Sequence, residues 1–153
     1  MLEREDVVTL RLNIGCGPYQ ERGYINIDKN PRQAPDLVLD VRKGLPYAQH
    51  SVDEILMSHF LEHLSGEEAL DLLAECYRVL RPQALVTIVV PEKHPYCFDH
   101  LQTFELDSFD ALVRPDMPDY YQRTFRWALV SKVLEPDSAS TRQNIRVVLR
   151  AIP

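Results

Sequence analysis

Several things are scarce in this sequence, and each scarcity excludes a class of protein. Only three cysteines occur (Cys16, Cys76 and Cys97), an odd number with no C-x-x-C pair. That excludes a disulfide framework and makes a reducing, cytoplasmic setting the default expectation. No apolar run approaches the ~20 residues of a membrane span, so no membrane association is expected. The opening Met1-Leu2-Glu3-Arg4-Glu5-Asp6 is acidic and has no apolar core segment, unlike a secretory signal. Basic charge is also short: 17 Lys and Arg face 23 Asp and Glu, a net charge of −6. Phosphate neutralisation needs clustered cations, so nucleic acid is not an expected partner. Arg114, Arg123 and Arg126 are the best local exception, and scattered solvated charge is the simpler reading. Internal repeats, low-complexity stretches and interdomain linkers are absent too.

What remains is an ordinary globular composition, 45% hydrophobic and 26% charged over 153 residues. A chain of that size fits one domain, residues 1–153, and buries about 68–70% of its unfolded surface.

Periodicity places the elements. Val8–Ile14 alternates apolar and polar residues as a strand does and runs into Gly15-Cys16-Gly17-Pro18. Tyr24–Ile27, Leu37–Leu39 and Ser51–Met57 are further strand candidates, ending at Asp28, Asp40 and Ser58-His59. Ser65-Gly66-Glu67-Glu68 has capping-box form, and the apolar residues from Ala69 to Leu80 recur at helical spacing until Pro82. Leu85–Val90 reads as a strand covered on both faces, and Pro91–His100 as a loop. Phe104–Val113 reads as a helix, with a proline-rich stretch after it. Arg126–Leu134 and Asn144–Ile152 form an antiparallel hairpin. The order predicts an α/β fold: a Rossmann-like sheet, mostly parallel with an antiparallel C-terminal hairpin and minimal helices.

In such sheets ligands bind beyond the carboxyl ends of the strands. Four polar features stand there in succession. Gly15 and Gly17 remove side chains so that backbone can approach a ligand. Asp28 can accept two charge-assisted hydrogen bonds from a ribose. Asp40 is placed to accept from an adenine amino group, and Ser58-His59 closes the series. Any one of these is an ordinary turn residue; four successive strand ends lining one crevice are informative.

These segments, with Asp40-Val41-Arg42-Lys43-Gly44-Leu45-Pro46-Tyr47, Ser51-Val52-Asp53-Glu54-Ile55, His59-Phe60-Leu61-Glu62-His63 and Tyr77-Arg78-Val79-Leu80-Arg81-Pro82, give the chain its likeness. It resembles the class I S-adenosylmethionine (SAM)-dependent methyltransferases, in particular the small methyltransferase type 11-like proteins, over residues 10–91. The resemblance implies SAM as cofactor and an unidentified methyl acceptor. It implies a cofactor site of Asn13, Gly15, Cys16, Gly17, Asp28, Asp40, Val41, Ser58 and His59: glycines beneath the methionine portion, Asp28 at the ribose, Asp40 and Val41 at the adenine. His59, His94 and His100 are the candidate bases.

The family pattern is departed from in three places. Tyr19 takes the third glycine position. Gly15 and Asp28 are only 13 positions apart, so the first helix must be short or absent. Pro82-Gln83-Ala84 replaces a Pro-Gly-Gly turn, which without Gly predicts a type I-like geometry.

Two other readings compete. His59-Phe60-Leu61-Glu62-His63 fits the H-x-x-E-H zinc-peptidase pattern, but the chemistry needs a longer helix and a third ligand, so no metal is expected. Alternatively the chain is a catalytically degenerate SAM-binding module, completed by homodimerisation or by a larger partner subunit.

Overall fold

The structure, a computed structural model, describes residues 8–93 and 97–153. Seven strands form one sheet: β1 (Arg11–Ile14), β2 (Ile25–Asp28), β3 (Leu37–Val38), β4 (Val52–Ser58), β5 (Leu80–Pro91), β6 (Trp127–Pro136) and β7 (Gln143–Ala151). Their spatial order is β3-β2-β1-β4-β5-β7-β6. The first five pair in parallel, while β7 runs antiparallel to both β5 and β6. Strand order therefore reverses between β1 and β4, and the carboxyl ends of β1 to β5 share one edge of the sheet. That is the expected mostly parallel sheet with its antiparallel hairpin.

Alternation buries Leu12 and Ile14 of β1, Ile55 and Met57 of β4, and Ile145, Val147 and Leu149 of β7. On β5, the consecutive residues Ile88, Val89 and Val90 are all buried, so this end of the strand is covered on both faces.

One long helix, α1 (Gly66–Val79), packs Ala69, Leu72, Leu73, Cys76 and Val79 inward. It begins with the predicted capping box: the Ser65 hydroxyl accepts from Glu68 N at 3.2 Å, and Glu68 Oε2 accepts from Ser65 N at 2.9 Å. It ends at Val79, three residues ahead of Pro82, because Leu80 already pairs with Val52 of β4. The other α-helices are single turns, α2 (Asp110–Val113) and α3 (Met117–Tyr121). The helix expected over Phe104–Val113 is a 3-10 turn (Leu106–Phe109) running into α2.

The turn at Pro82-Gln83-Ala84 differs from expectation. Gln83 has φ of +73°, the left-handed region, which a type I turn does not use. The cause is the sheet: residues 81–84 bulge out between the pairs Val52–Leu80 and Glu54–Leu85, and Gln83 takes the conformation that glycine would hold.

As the short spacing predicts, no helix follows β1 among the described residues. Side-chain hydrogen bonds replace it. Asn13 Nδ2 donates to Tyr19 O (3.1 Å) and Asn26 Oδ1 (2.9 Å). Asn26 Oδ1 also accepts from Glu21 N at 2.7 Å, while Asn26 N and Nδ2 both donate to Asp36 Oδ2. Buried amides thus peg the β1–β2 loop, at Tyr19 and Glu21, and the β2–β3 loop, at Asp36, to β1 and β2. No described helix is long and apolar enough to cross a membrane.

Candidate active site

At the carboxyl edge of the sheet lies a cavity of about 500 Å³, inside the range of small-molecule sites. Gly15, Gly17, Asp28, Asp40, Val41 and His59 line it, so the structure brings together most of the residues singled out in the sequence.

The β1 turn is built for sharpness. Gly15 N and Cys16 N both donate to Ile27 O, at 2.8 and 3.0 Å. Gly15 has φ of +68°, and a Cβ there would lie 2.0 Å from Phe60 Cδ2. The close approach that demands glycine is therefore partly internal, made by the Phe60 ring. Gly17, at φ of +51°, has no atom within 4 Å of where its Cβ would sit, so that side of the turn is open.

Asp28 locks the turn to β2. Its Oδ2 accepts from Gly17 N at 2.9 Å and its Oδ1 from Asn30 N at 2.8 Å. Each oxygen keeps a second lone pair. Asp40 caps the 3-10 turn Val41–Lys43 by accepting from Arg42 N, and the Arg42 guanidinium grips the same carboxylate from its Nε and Nη2, at 2.9 and 2.7 Å. Those bonds from Arg42 hold the Asp40 carboxyl down at about 2. Val41 is buried beneath it.

His59 follows β4 with φ of +52°, an unusual conformation for a side chain of its size. Its amide still donates to Val89 O at 2.8 Å, so the ladder to β5 fixes the residue where the strand ends. Partial burial lowers its pKa and keeps the imidazole neutral near pH 7.

Other predicted site residues lie elsewhere. Asn13 is buried at 3% exposure and spends its amide on the loop. Cys16 is buried, and burial raises its thiol pKa. Ser58 is exposed and does not line the cavity. His100 sits behind His63, their ring centroids 4.8 Å apart at 87°. His94 lies outside the described residues.

Sequence reasoning missed two contributors: Phe60 covers Gly15, and Arg42 neutralises Asp40. His63, of the H-x-x-E-H pattern, and Asp99, in the loop after β5 where a substrate is expected to dock, form part of the wall. Arg42, two residues after a capping Asp, was a readable signal; Phe60 was not.

The zinc-peptidase geometry is not formed. Leu61–His63 is one 3-10 turn with His59 outside it, so His59 and His63 are not successive ligands on an α-helical face. Glu62 nonetheless lies between them, its Oε1 3.7 Å from His59 Nδ1 and 3.9 Å from His63 Nε2. Burial pushes its carboxyl up to about 7.

A family model described as a methyltransferase domain matches residues 12–88, half of the chain. The chain belongs to the methyltransferase domain family. No curated protein sequence matches it. Among solved structures, a SAM-dependent methyltransferase from Archaeoglobus fulgidus is 16% identical with a TM-score of 0.67, covering 94% of this chain and 86% of that one. The Burkholderia thailandensis 1,6-didemethyltoxoflavin-N1-methyltransferase, solved with its substrate and S-adenosylhomocysteine, is 15% identical (TM-score 0.67; 94% and 71% covered). A Haloferax volcanii methyltransferase in complex with the Trm112 methyltransferase activator is 12% identical (TM-score 0.72; 98% and 86% covered). At these identities the likeness is one of fold, and it agrees with the sheet order described above. S-adenosylmethionine is the cofactor that membership of this family carries with it.

The residues present fit that group. Gly17 leaves the side-chain space of a cradle, the carboxylates of Asp28 and Asp40 stand on adjacent loops, and Val41 supplies an apolar surface in the same lining.

Proposed function

We propose that this protein transfers a methyl group from SAM to an acceptor that enters between His59 and Asp99, both of which line the cavity. The observation that carries the proposal is the pairing of Asp28 with the open side of Gly17 at one end of the cavity, with Asp40 and Val41 on the next loop. Asp28 would hold the ribose hydroxyls with the lone pairs that Gly17 N and Asn30 N leave free. Asp40, kept ionised by Arg42, would accept from the adenine amino group while Val41 packs against the ring. The acidic lining suits a ligand with a sulfonium and an ammonium.

Bound there, SAM supplies an electrophilic methyl group to a nucleophile in line with its sulfur. The protein's own contribution is positioning, because the leaving thioether needs no general acid. His59 lines the cavity in its neutral form, ready to take a proton from an acceptor that must lose one. That placement favours transfer over a module that binds the cofactor without chemistry. The acceptor is a small molecule or a side chain able to reach His59.

The test is a calorimetric titration of the purified chain with SAM and with S-adenosylhomocysteine. Saturable one-to-one binding, weakened at least tenfold by Asp28→Ala with the circular dichroism spectrum retained, is the expected result. Absence of binding to either ligand at millimolar concentration would overturn the proposal.

A further inference from the structure

Beside the cavity is a cluster that the cofactor reading does not use. Glu62 is 1% exposed, and neither of its carboxylate oxygens has a hydrogen-bond partner among the described residues. A buried carboxylate without partners is costly, and such groups are found paired or bound to metal. The side chains around it are imidazoles. The ligating atoms of Glu62, His63 and His100 all lie within 4.8 Å of one another.

We propose that Glu62, His63 and His100 form a binding site for a first-row divalent cation of the Zn2+ type, with Asp99 orienting His63. Two imidazoles and one carboxylate are the three-ligand set of an open zinc site, which leaves a fourth position for water or an exogenous donor. Imidazole donors select against Mg2+ and Ca2+, which prefer all-oxygen shells. Tetrahedral donors at the 2.0–2.1 Å reach of a zinc–nitrogen bond stand about 3.3–3.4 Å apart, so the ligating atoms need to close by at most about 1.5 Å from their 4.8 Å spacing.

The surroundings already have the form that metal histidines need. His63 Nδ1 lies 3.3 Å from Asp99 Oδ2 and 3.3 Å from Asp99 O, which leaves Nε2 directed at Glu62. A metal-ligating His commonly donates its other ring N–H to a carboxylate or backbone carbonyl in this way. The loop that supplies Asp99 and His100 is tied to the turn that supplies Glu62 and His63. Leu101 N and Gln102 N both donate to Glu62 O, at 2.8 and 3.2 Å, and Gln102 Nε2 donates to Leu64 O at 2.9 Å. The two halves of the site are therefore held in register by backbone. His63 and Asp99 also line the cavity wall, so the fourth coordination position would lie near the acceptor side. The inference does not require SAM to bind, and its test omits SAM.

The untagged full chain, stripped with a chelator and dialysed, is titrated with ZnCl2 at pH 7.5 by calorimetry. One Zn2+ per chain is expected, with a dissociation constant of micromolar or tighter. Glu62→Gln, which preserves shape, and His100→Ala should each weaken binding at least tenfold. Asp99→Asn should weaken it about 10–100-fold, the usual penalty for losing an orienting partner. His50→Asn, outside the cluster, should bind as the wild type does, and circular dichroism checks that each variant is folded. Failure of the wild type to bind one equivalent, or unchanged binding in both Glu62→Gln and His100→Ala, would overturn the proposal.

Discussion

The two halves of this sheet are held together by different means. From β4 onward, strands of 7, 12, 10 and 9 residues pair over long registers, and α1 closes the core with five buried apolar side chains. In the first half, β1 and β2 have 4 residues each and β3 has 2, with 3-10 turns in place of α-helices. Strands that short leave little ladder to hold the loops. The buried amides of Asn13 and Asn26, with Asp36 behind them, do that work instead. Stability and ligand geometry are divided unequally between the halves: the long-stranded half supplies most of the core, and the short-stranded half most of the cavity lining, completed by His59, Phe60, His63 and Asp99 from the segments after β4 and β5.

Substitutions should respect that division. Leu72→Ala, at 2% exposure in the core under α1, should have the largest effect on stability, about 2–5 kcal/mol. Denaturant unfolding checks this, and affinity for S-adenosylhomocysteine should change less than twofold; a tenfold loss would break the comparison. Gly15→Ala comes next, because its Cβ would lie 2.0 Å from the Phe60 ring at a positive φ. About 1–3 kcal/mol is expected, together with weaker cofactor binding as Phe60 is pushed aside. Gly17→Ala, where the space is open, should cost less stability than Gly15→Ala; equal losses would show that backbone conformation alone governs the turn.

Asn26→Ala strips partners from the Asn13 amide and Glu21 N, and should cost about 1–3 kcal/mol. Unlike Leu72→Ala it should also weaken S-adenosylhomocysteine at least tenfold, since Tyr19 and Glu21 hang from the same network. Unchanged affinity would argue that these loops do not shape the site. The smallest effect concerns acid. The Asp40 pKa is depressed in the folded chain, to about 2. Its stabilising interaction with Arg42 is therefore fully present above the ordinary value of 3.8 and is lost as pH falls through the folded value. Asp40→Asn should lower stability slightly at pH 6 and converge with the wild type near pH 2. A gap that widens towards pH 2 would contradict the assignment.

Much of this organisation could be read from the sequence, and what could not has a physical reason. The Ser65–Glu68 capping box, the four strand ends and the missing first helix are local signals: spacing, capping chemistry and alternation state them directly. Asn13 was legible as important but not in its role, because a buried amide at a strand end serves a loop or a ligand equally well until its partners are known. Gln83 escaped because its left-handed conformation is imposed by a bulge against β4. The Glu62 cluster escaped because His100 is 37 positions away from His63 in the chain and meets it only through the loop after β5. Contacts made by tertiary closure leave no periodic trace.

The central claim is that the short-stranded half forms the cofactor site. Hydrogen–deuterium exchange, with and without saturating S-adenosylhomocysteine, tests it most directly. The account predicts slowed exchange at residues 15–19, 28–30 and 40–42, with β6 and β7 unchanged. Protection confined to β6 and β7, or none at saturation, would contradict it.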